Sequence, residues 1–378
     1  MKERNSNFEL MRIISMILIV TCHTLGHGGL MRNSQNDTLS IIFTFIFYFV
    51  LLHVNSFVLL TGYHQCNSKF KQSKLWYLIS SSLFYKVVIM IIFSSLGLIT
   101  LTKVQVLWEI FPLNVDEYWY VKFYFLLYCI SPILNYIINR TNKQEYKNSL
   151  IILFIILSVL PFFTGGKAFS NGGYNLTNFI LLYFIGAYLR KNPVKESYLF
   201  KNLSKNAYRL ILMVLLLFVV TLNFMIHYIS IEFSKCNTVF NEIFNNFDMM
   251  TSVYSNPLII IQSVLYFLYF ETLDIKSKFI NKVASLTLGV YYIHDNNFVR
   301  GYIYKWIKID NGPFYSYKYL IYMIIAVLTI FIICSMIEFI RQLIFKLIGK
   351  LNISKKIKIK YYNYIKSISF NKKEELLQ

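Results

Sequence analysis

The fold class predicted by this sequence is all-α: a polytopic membrane helix bundle of about ten transmembrane helices with both termini cytoplasmic. Three observations predict it. Of 378 residues, 56% are hydrophobic and 15% charged, and the mean hydropathy is +0.50, a balance too apolar for a water-soluble fold. The apolar residues are divided among separate runs, each near the roughly 20 residues that cross a hydrocarbon core about 30 Å thick. Lysine and arginine gather in every second loop between those runs, the pattern of a chain threaded back and forth through a bilayer.

In chain order, the candidate spans are 9–29, 39–63, 76–101, 119–138, 149–165, 175–190, 208–229, 253–271, 284–305 and 317–345. The first is expected to be retained, because no small-x-small cleavage site precedes a soluble domain and further spans follow at once. The fifth and sixth are short for a crossing. Lys2 and Arg4 precede the first span; Lys69, Lys71 and Lys74 follow the second, and Arg140, Lys143 and Lys147 the fourth. Arg190, Lys191, Lys195, Lys201 and Lys205 follow the sixth, and Lys276, Lys278 and Lys282 the eighth. The alternate loops hold Glu109, Asp116 and Glu117, then Glu232, Glu242 and Asp248, so the basic side is inside. Residues 1–345 form the transmembrane domain, and 346–378 a basic cytoplasmic tail with Lys346, Lys355, Lys356, Lys358, Lys360 and Lys373.

The formal net charge of +20 is spread over loops facing one leaflet and carries no nucleic-acid-binding motif, so anionic lipid headgroups are the expected partner, not nucleic acid. Cys22, Cys66, Cys129, Cys236 and Cys334 form no CxxC pair and suggest neither disulfides nor a metal site. With no Gly-rich phosphate loop and no soluble catalytic domain in the sequence, chemistry is expected inside the bundle.

The first span carries Arg12 and His23 in the stretch RIISMILIVTCH. Eleven residues at about 100° each end roughly 20° past three full turns, which puts both on one helix face about 16 Å apart along the axis. Ser15, Ile19 and His27 lie near the same stripe. Arg12 sits at the cytoplasmic boundary, where snorkelling to headgroups is one reading and a functional contact the other. An ionisable residue at the depth of His23 faces the bundle interior and marks a transport path or a reactive site, or else joins helices by a hydrogen bond. His27 reaches the outer interface; a His23/His27 metal pair lacks a third ligand nearby, so no metal site is expected. In the ninth span, His294 lies about 16 Å beyond Val283, a depth similar to that of His23. The polar run Asp295, Asn296, Asn297 must face the interior, with Asp295 free to pair with Arg300 or a neighbouring helix. Trp119, Tyr120 and Lys122 open the fourth span on the outer side, where an aromatic belt explains the first two and a sugar platform is the alternative. Gly62, Gly186 and Gly289 mark places where helices approach closely.

Several stretches together carry a family resemblance. RIISMILIVTCH has an arginine, ten intervening residues and a histidine; NSFVLLTGY lies at 55–63, YWYVKFYFLLYCISPILN at 118–135, NFILLYFIGAYLRK at 178–191 and SLTLGVYYIHDNNFVR at 285–300. In this order and at these positions they resemble the membrane acyltransferase-3 family, and TGY and GVYYIHDN are similar to stand-alone members of bacterial capsule and exopolysaccharide pathways. The resemblance implies an enzyme of the bacterial cytoplasmic membrane with no bound cofactor. It would transfer an acyl group, usually acetyl from acetyl-CoA, to a hydroxyl of a surface glycan or its lipid-linked precursor, beside other polysaccharide-assembly proteins. It implies His23 as general base, held neutral by the low-dielectric bundle. Arg12 would meet the anionic donor or orient the first helix. His294, with Asp295, would line the acceptor side of the same cavity; Trp119, Tyr120 and Lys122 would contact the acceptor. Many members carry arginines after the second helix, whereas this chain has HQCNSKFKQSK at 64–74, leaving Lys69 and Lys71 as donor-binding point charges that the positive-inside rule equally explains. A transporter or flippase of lipid-linked sugars would show charges on several spans and an inverted repeat, and a polymerase a large outer loop or acidic catalytic residues. The sequence offers neither pattern.

Overall fold

In the computed structural model, the described residues are 5–111, 118–164, 171–235, 240–307 and 315–350, and among them the fold is all-helical with no strand. Runs of Leu, Ile, Phe and Val take the helical form because hydrocarbon supplies no partner for a backbone N–H or C=O, so each segment must satisfy its own. The helices are α1 (Ser6–Gly26), α2 (Asp37–Val50), α3 (His53–Gln65), α4 (Gln72–Ser95), α5 (Lys103–Ile110), α6 (Trp119–Arg140), α7 (Lys143–Phe154) and α8 (Leu176–Lys191). They continue as α9 (Lys205–Ser234), α10 (Phe240–Thr251), α11 (Pro257–Glu271), α12 (Lys278–Ala284), α13 (Thr287–His294), α14 (Asn297–Trp306) and α15 (Lys318–Lys350). α7 runs on through a π turn at Ile155–Val159 to Thr164. The tail beyond Lys350 lies outside the described residues, as do Asp116 and Glu117.

Among the described residues, seven segments are long and apolar enough to cross a membrane: α1, α2 with α3, α4, α6, Lys143–Thr164, α9 and α15. The other three spans read from the sequence are shorter or broken. α8 has 16 residues and α11 has 15, and the single helix expected over 284–305 is divided between α12, α13 and α14. The division has a local cause. The Asn296 side chain accepts from the backbone N–H of Phe298 and Val299, so it caps a new helix instead of continuing the old one. The second span bends between α2 and α3 at Leu51–Leu52, where the Gln262 amide donates to the carbonyls of Tyr48 and Phe49 at 3.2 and 2.7 Å. A side chain from α11 thus takes over backbone acceptors near the bend.

α1 packs against α2, α3, α11, α12, α13 and α15, and two apolar cores meet on it. Met16, Ile19, Val20 and Leu25 join Phe43, Tyr85, Val290, Tyr292 and Val327. Phe8 and Met11 join Val58, Leu59, Leu127, Phe179, Tyr183 and Phe267. Lipid tails are as apolar as leucine, so close packing and not water exclusion holds the helices together. α3 and α8 show how close. A Cβ on Gly62 would stand 2.2 Å from the Tyr183 carbonyl oxygen, and one on Gly186 would stand 2.2 Å from that of Leu59. Each glycine admits the other helix's backbone, which pins α3 against α8.

Candidate active site

A cavity of about 420 Å³ opens along the interior face of α1. Arg12 lines one end together with Lys74 of α4, whose Nζ donates to Gln65 Oε1 at the end of α3 (3.2 Å). Arg12 Nη1 donates to both carboxylate oxygens of Glu9 at 3.2 Å, yet its side chain stays 38% exposed. Three turns further, His23 lines the same cavity, with His53 of α3 and the rings of Trp119, Tyr120, Tyr254 and Tyr291. Trp119 stacks on Tyr254 with centroids 5.7 Å apart. The chamber is therefore cationic at one end and aromatic at the other, with imidazoles in the aromatic half.

Behind His23 stands a hydrogen-bond chain. His294 Nδ1 lies 2.7 Å from the Val290 carbonyl oxygen, and His294 Nε2 lies 3.1 Å from His23 Nδ1. A carbonyl only accepts, so Nδ1 of a neutral His294 carries the proton and its Nε2 carries the lone pair. His23 Nδ1 must then be the donor to His294. Its remaining nitrogen, Nε2, holds the free lone pair. Asp295 Oδ1 is 3.5 Å from the same His23 Nδ1 and 3.3 Å from Arg300 Nη1, and Arg300 Nη2 donates to Asn297 at 2.9 Å. A proton arriving on His23 would thus meet a carboxylate already in place. The break at Asn296 makes this possible: it ends α13 at His294 and turns Asp295 out of the helix toward α1.

The histidines read from the sequence as equally deep are in direct contact, and Asp295 pairs with Arg300 and with His23 at once. His294 differs from the expectation in one respect. It is 1% exposed with both nitrogens engaged, and it stands behind His23 instead of on the acceptor wall. Trp119 and Tyr120 line the cavity; Lys122 does not, its ammonium lying 5.4 Å from the Phe123 ring. Lys69 and Lys71 are exposed and off the cavity wall, where Lys74 takes the place expected for them. The missing third ligand for a His23/His27 pair is also corrected: Asp295 brings an oxygen within 4.8 Å of one nitrogen on each ring. That carboxylate already faces Arg300 and His23. His53 escaped the sequence reading, although an ionisable residue in the second span was the signal that singled out His23 in the first.

The arrangement can take a proton from a hydroxyl at His23 while an anionic group is held at the Arg12 and Lys74 end. A family model described as an acyltransferase domain matches residues 5–339. No match is found among curated proteins or among solved structures.

Proposed function

As the chain belongs to the acyltransferase-3 family, an acyltransferase of membrane helices, we propose that it moves an acetyl group from acetyl-CoA to a hydroxyl of a bacterial surface polysaccharide or its lipid-linked precursor, with His23 as general base. The observation that carries this reading is the chain Val290, His294, His23, which leaves a lone pair on His23 Nε2 beside a cavity with cations at its far end. The polyanionic part of the donor sits by Arg12 and Lys74 in the cytoplasmic half, and its pantetheine arm covers the roughly 16 Å to His23. The sugar stands among Trp119, Tyr120 and Tyr254.

Nε2 of His23 takes the hydroxyl proton as the oxygen attacks the thioester carbonyl carbon. The imidazolium so formed is stabilised through Nδ1 by His294 and Asp295, the logic of an oriented base. When the tetrahedral intermediate collapses the C–S bond breaks, and the CoA thiolate takes the proton from Nε2. Nothing is left on the enzyme. General-base assistance of this kind supplies typically about 10²- to 10⁴-fold. The test is deletion of the gene in its own cell, followed by NMR of the purified surface polysaccharide. Loss of its ester-linked acyl signal is the expected result, and an unchanged signal refutes the reading.

A further inference from the structure

His53 is 1% exposed, and neither Nδ1 nor Nε2 has a hydrogen-bond partner among the described residues. A buried polar group without a partner is costly, and natural folds keep few of them. This one lines the same cavity as His23. His53 is the first residue of α3, after the interruption at Leu51–Leu52, and its ring centroid lies 5.7 Å from that of Tyr254, which in turn stacks on Trp119. His53 therefore belongs to the aromatic half of the cavity, away from Arg12 and Lys74. Its ring is held by shape alone.

We infer that His53 is an acceptor-binding residue: its two unpartnered nitrogens are covered in this state, and a sugar seated in the aromatic half displaces that cover so that they take neighbouring hydroxyls and set which hydroxyl reaches His23. A neutral imidazole offers one donor and one acceptor. A hydroxyl is the group that answers both, because it gives and takes a hydrogen bond; a phosphate or carboxylate would call for the cations at the other end. With aromatic rings alongside, the matching ligand is a pyranose with adjacent free hydroxyls. Sites that hydrogen-bond a substrate hydroxyl reject analogues lacking it far more strongly than apolar pockets do, so His53 confers specificity as well as affinity. This inference rests on the acyl-transfer reading and deepens it.

The experiment replaces the chromosomal gene with His53→Phe, which keeps a ring and removes both nitrogens, or with His53→Gln, which restores a donor and an acceptor. Ester-linked acyl groups on the purified polysaccharide are counted by NMR. The purified variants are titrated with acetyl-CoA, and their thermal midpoints are measured. For His53→Phe the expected result is an acyl content down by about tenfold or more, the scale of one or two lost hydrogen bonds, with acetyl-CoA affinity within about twofold of wild type. Its thermal midpoint should equal or exceed that of wild type, because no internal hydrogen bond is lost, and His53→Gln should regain much of the acylation. Unchanged acylation in His53→Phe overturns the inference. A loss of acylation that tracks a lower thermal midpoint, or a weaker acetyl-CoA titration, overturns it equally. If the full deletion leaves the acyl signal intact, it is the acyl-transfer reading that has failed, and this inference falls with it.

Discussion

Replacing His294 with phenylalanine tests whether His23 works alone or as an oriented base. The substitution keeps a buried aromatic ring and deletes the contacts to Val290 O (2.7 Å) and His23 Nδ1 (3.1 Å). Val290 lies one helical turn before His294, so its carbonyl keeps its backbone partner within α13, and the stability cost is about that of one ordinary hydrogen bond, roughly 1 kcal/mol. The kinetic cost is larger. Without an acceptor at Nδ1 the His23 ring loses its fixed tautomer, a fault worth up to about 10⁴ in kcat where a serine-protease triad loses its orienting carboxylate. Asp295, 3.5 Å from the same nitrogen, retains part of the orientation, so a fall on the order of 10² in kcat is expected here. The assay is transfer of radiolabelled acetyl from acetyl-CoA into polysaccharide in inside-out membrane vesicles. The expected outcome is a hundredfold-scale loss in kcat with the KM for acetyl-CoA within about twofold, because His294 touches neither end of the donor. His294→Gln, which can still accept at His23, should recover part of the rate. Transfer within about threefold of wild type, or a KM that rises as kcat falls, would show that the histidine chain does not orient the base.

Two further outcomes follow from the geometry. Lys74→Ala should raise the KM for acetyl-CoA several-fold in the same vesicles, whereas Lys69→Ala with Lys71→Ala should leave it near wild type, because only Lys74 lines the cavity; the reverse ranking would return the donor site to the loop. Gly186→Val, which puts a branched side chain where a single Cβ already stands 2.2 Å from the Leu59 carbonyl oxygen, should cost about 1–3 kcal/mol or more and lower the thermal midpoint of the purified protein. A midpoint unchanged from wild type would mean that α3 and α8 are not pinned there.

The legible part of the site was set by single-helix arithmetic. The eleven-residue spacing of Arg12 and His23 follows from the pitch of one helix, and so does the depth of His294 along its own segment. What escaped depends on other helices. The Gln262 amide that takes the Tyr48 and Phe49 carbonyls beside the interruption at Leu51–Leu52 arrives from more than two hundred residues away, and the Tyr254 ring beside His53 is as distant in sequence. Lys74 is one of several lysines after the second span that the positive-inside rule places without distinguishing; its contact with Gln65, at the end of α3, is what sets it at the cavity. The break at Asn296 was half legible. Asparagine is a strong cap, but an apolar run on either side reads as one span until the cap bonds to Phe298 and Val299 are seen. The depth of His294 is legible and its contact with His23 is not, because rise along an axis is fixed by sequence spacing and rotation toward His23 is fixed by packing.

If His23 removes the proton from the acceptor hydroxyl, a residue of its size without a basic nitrogen must stop transfer while leaving the donor bound. His23→Gln membranes, matched to wild type for protein level, are supplied with radiolabelled acetyl-CoA, and the label reaching polysaccharide is counted over time. The amide keeps a donor for His294 and a similar volume but has no basic nitrogen. The expected result is label incorporation down by at least about 10² with acetyl-CoA still bound at near wild-type affinity. Incorporation at or near the wild-type rate would contradict it and move the base to another residue.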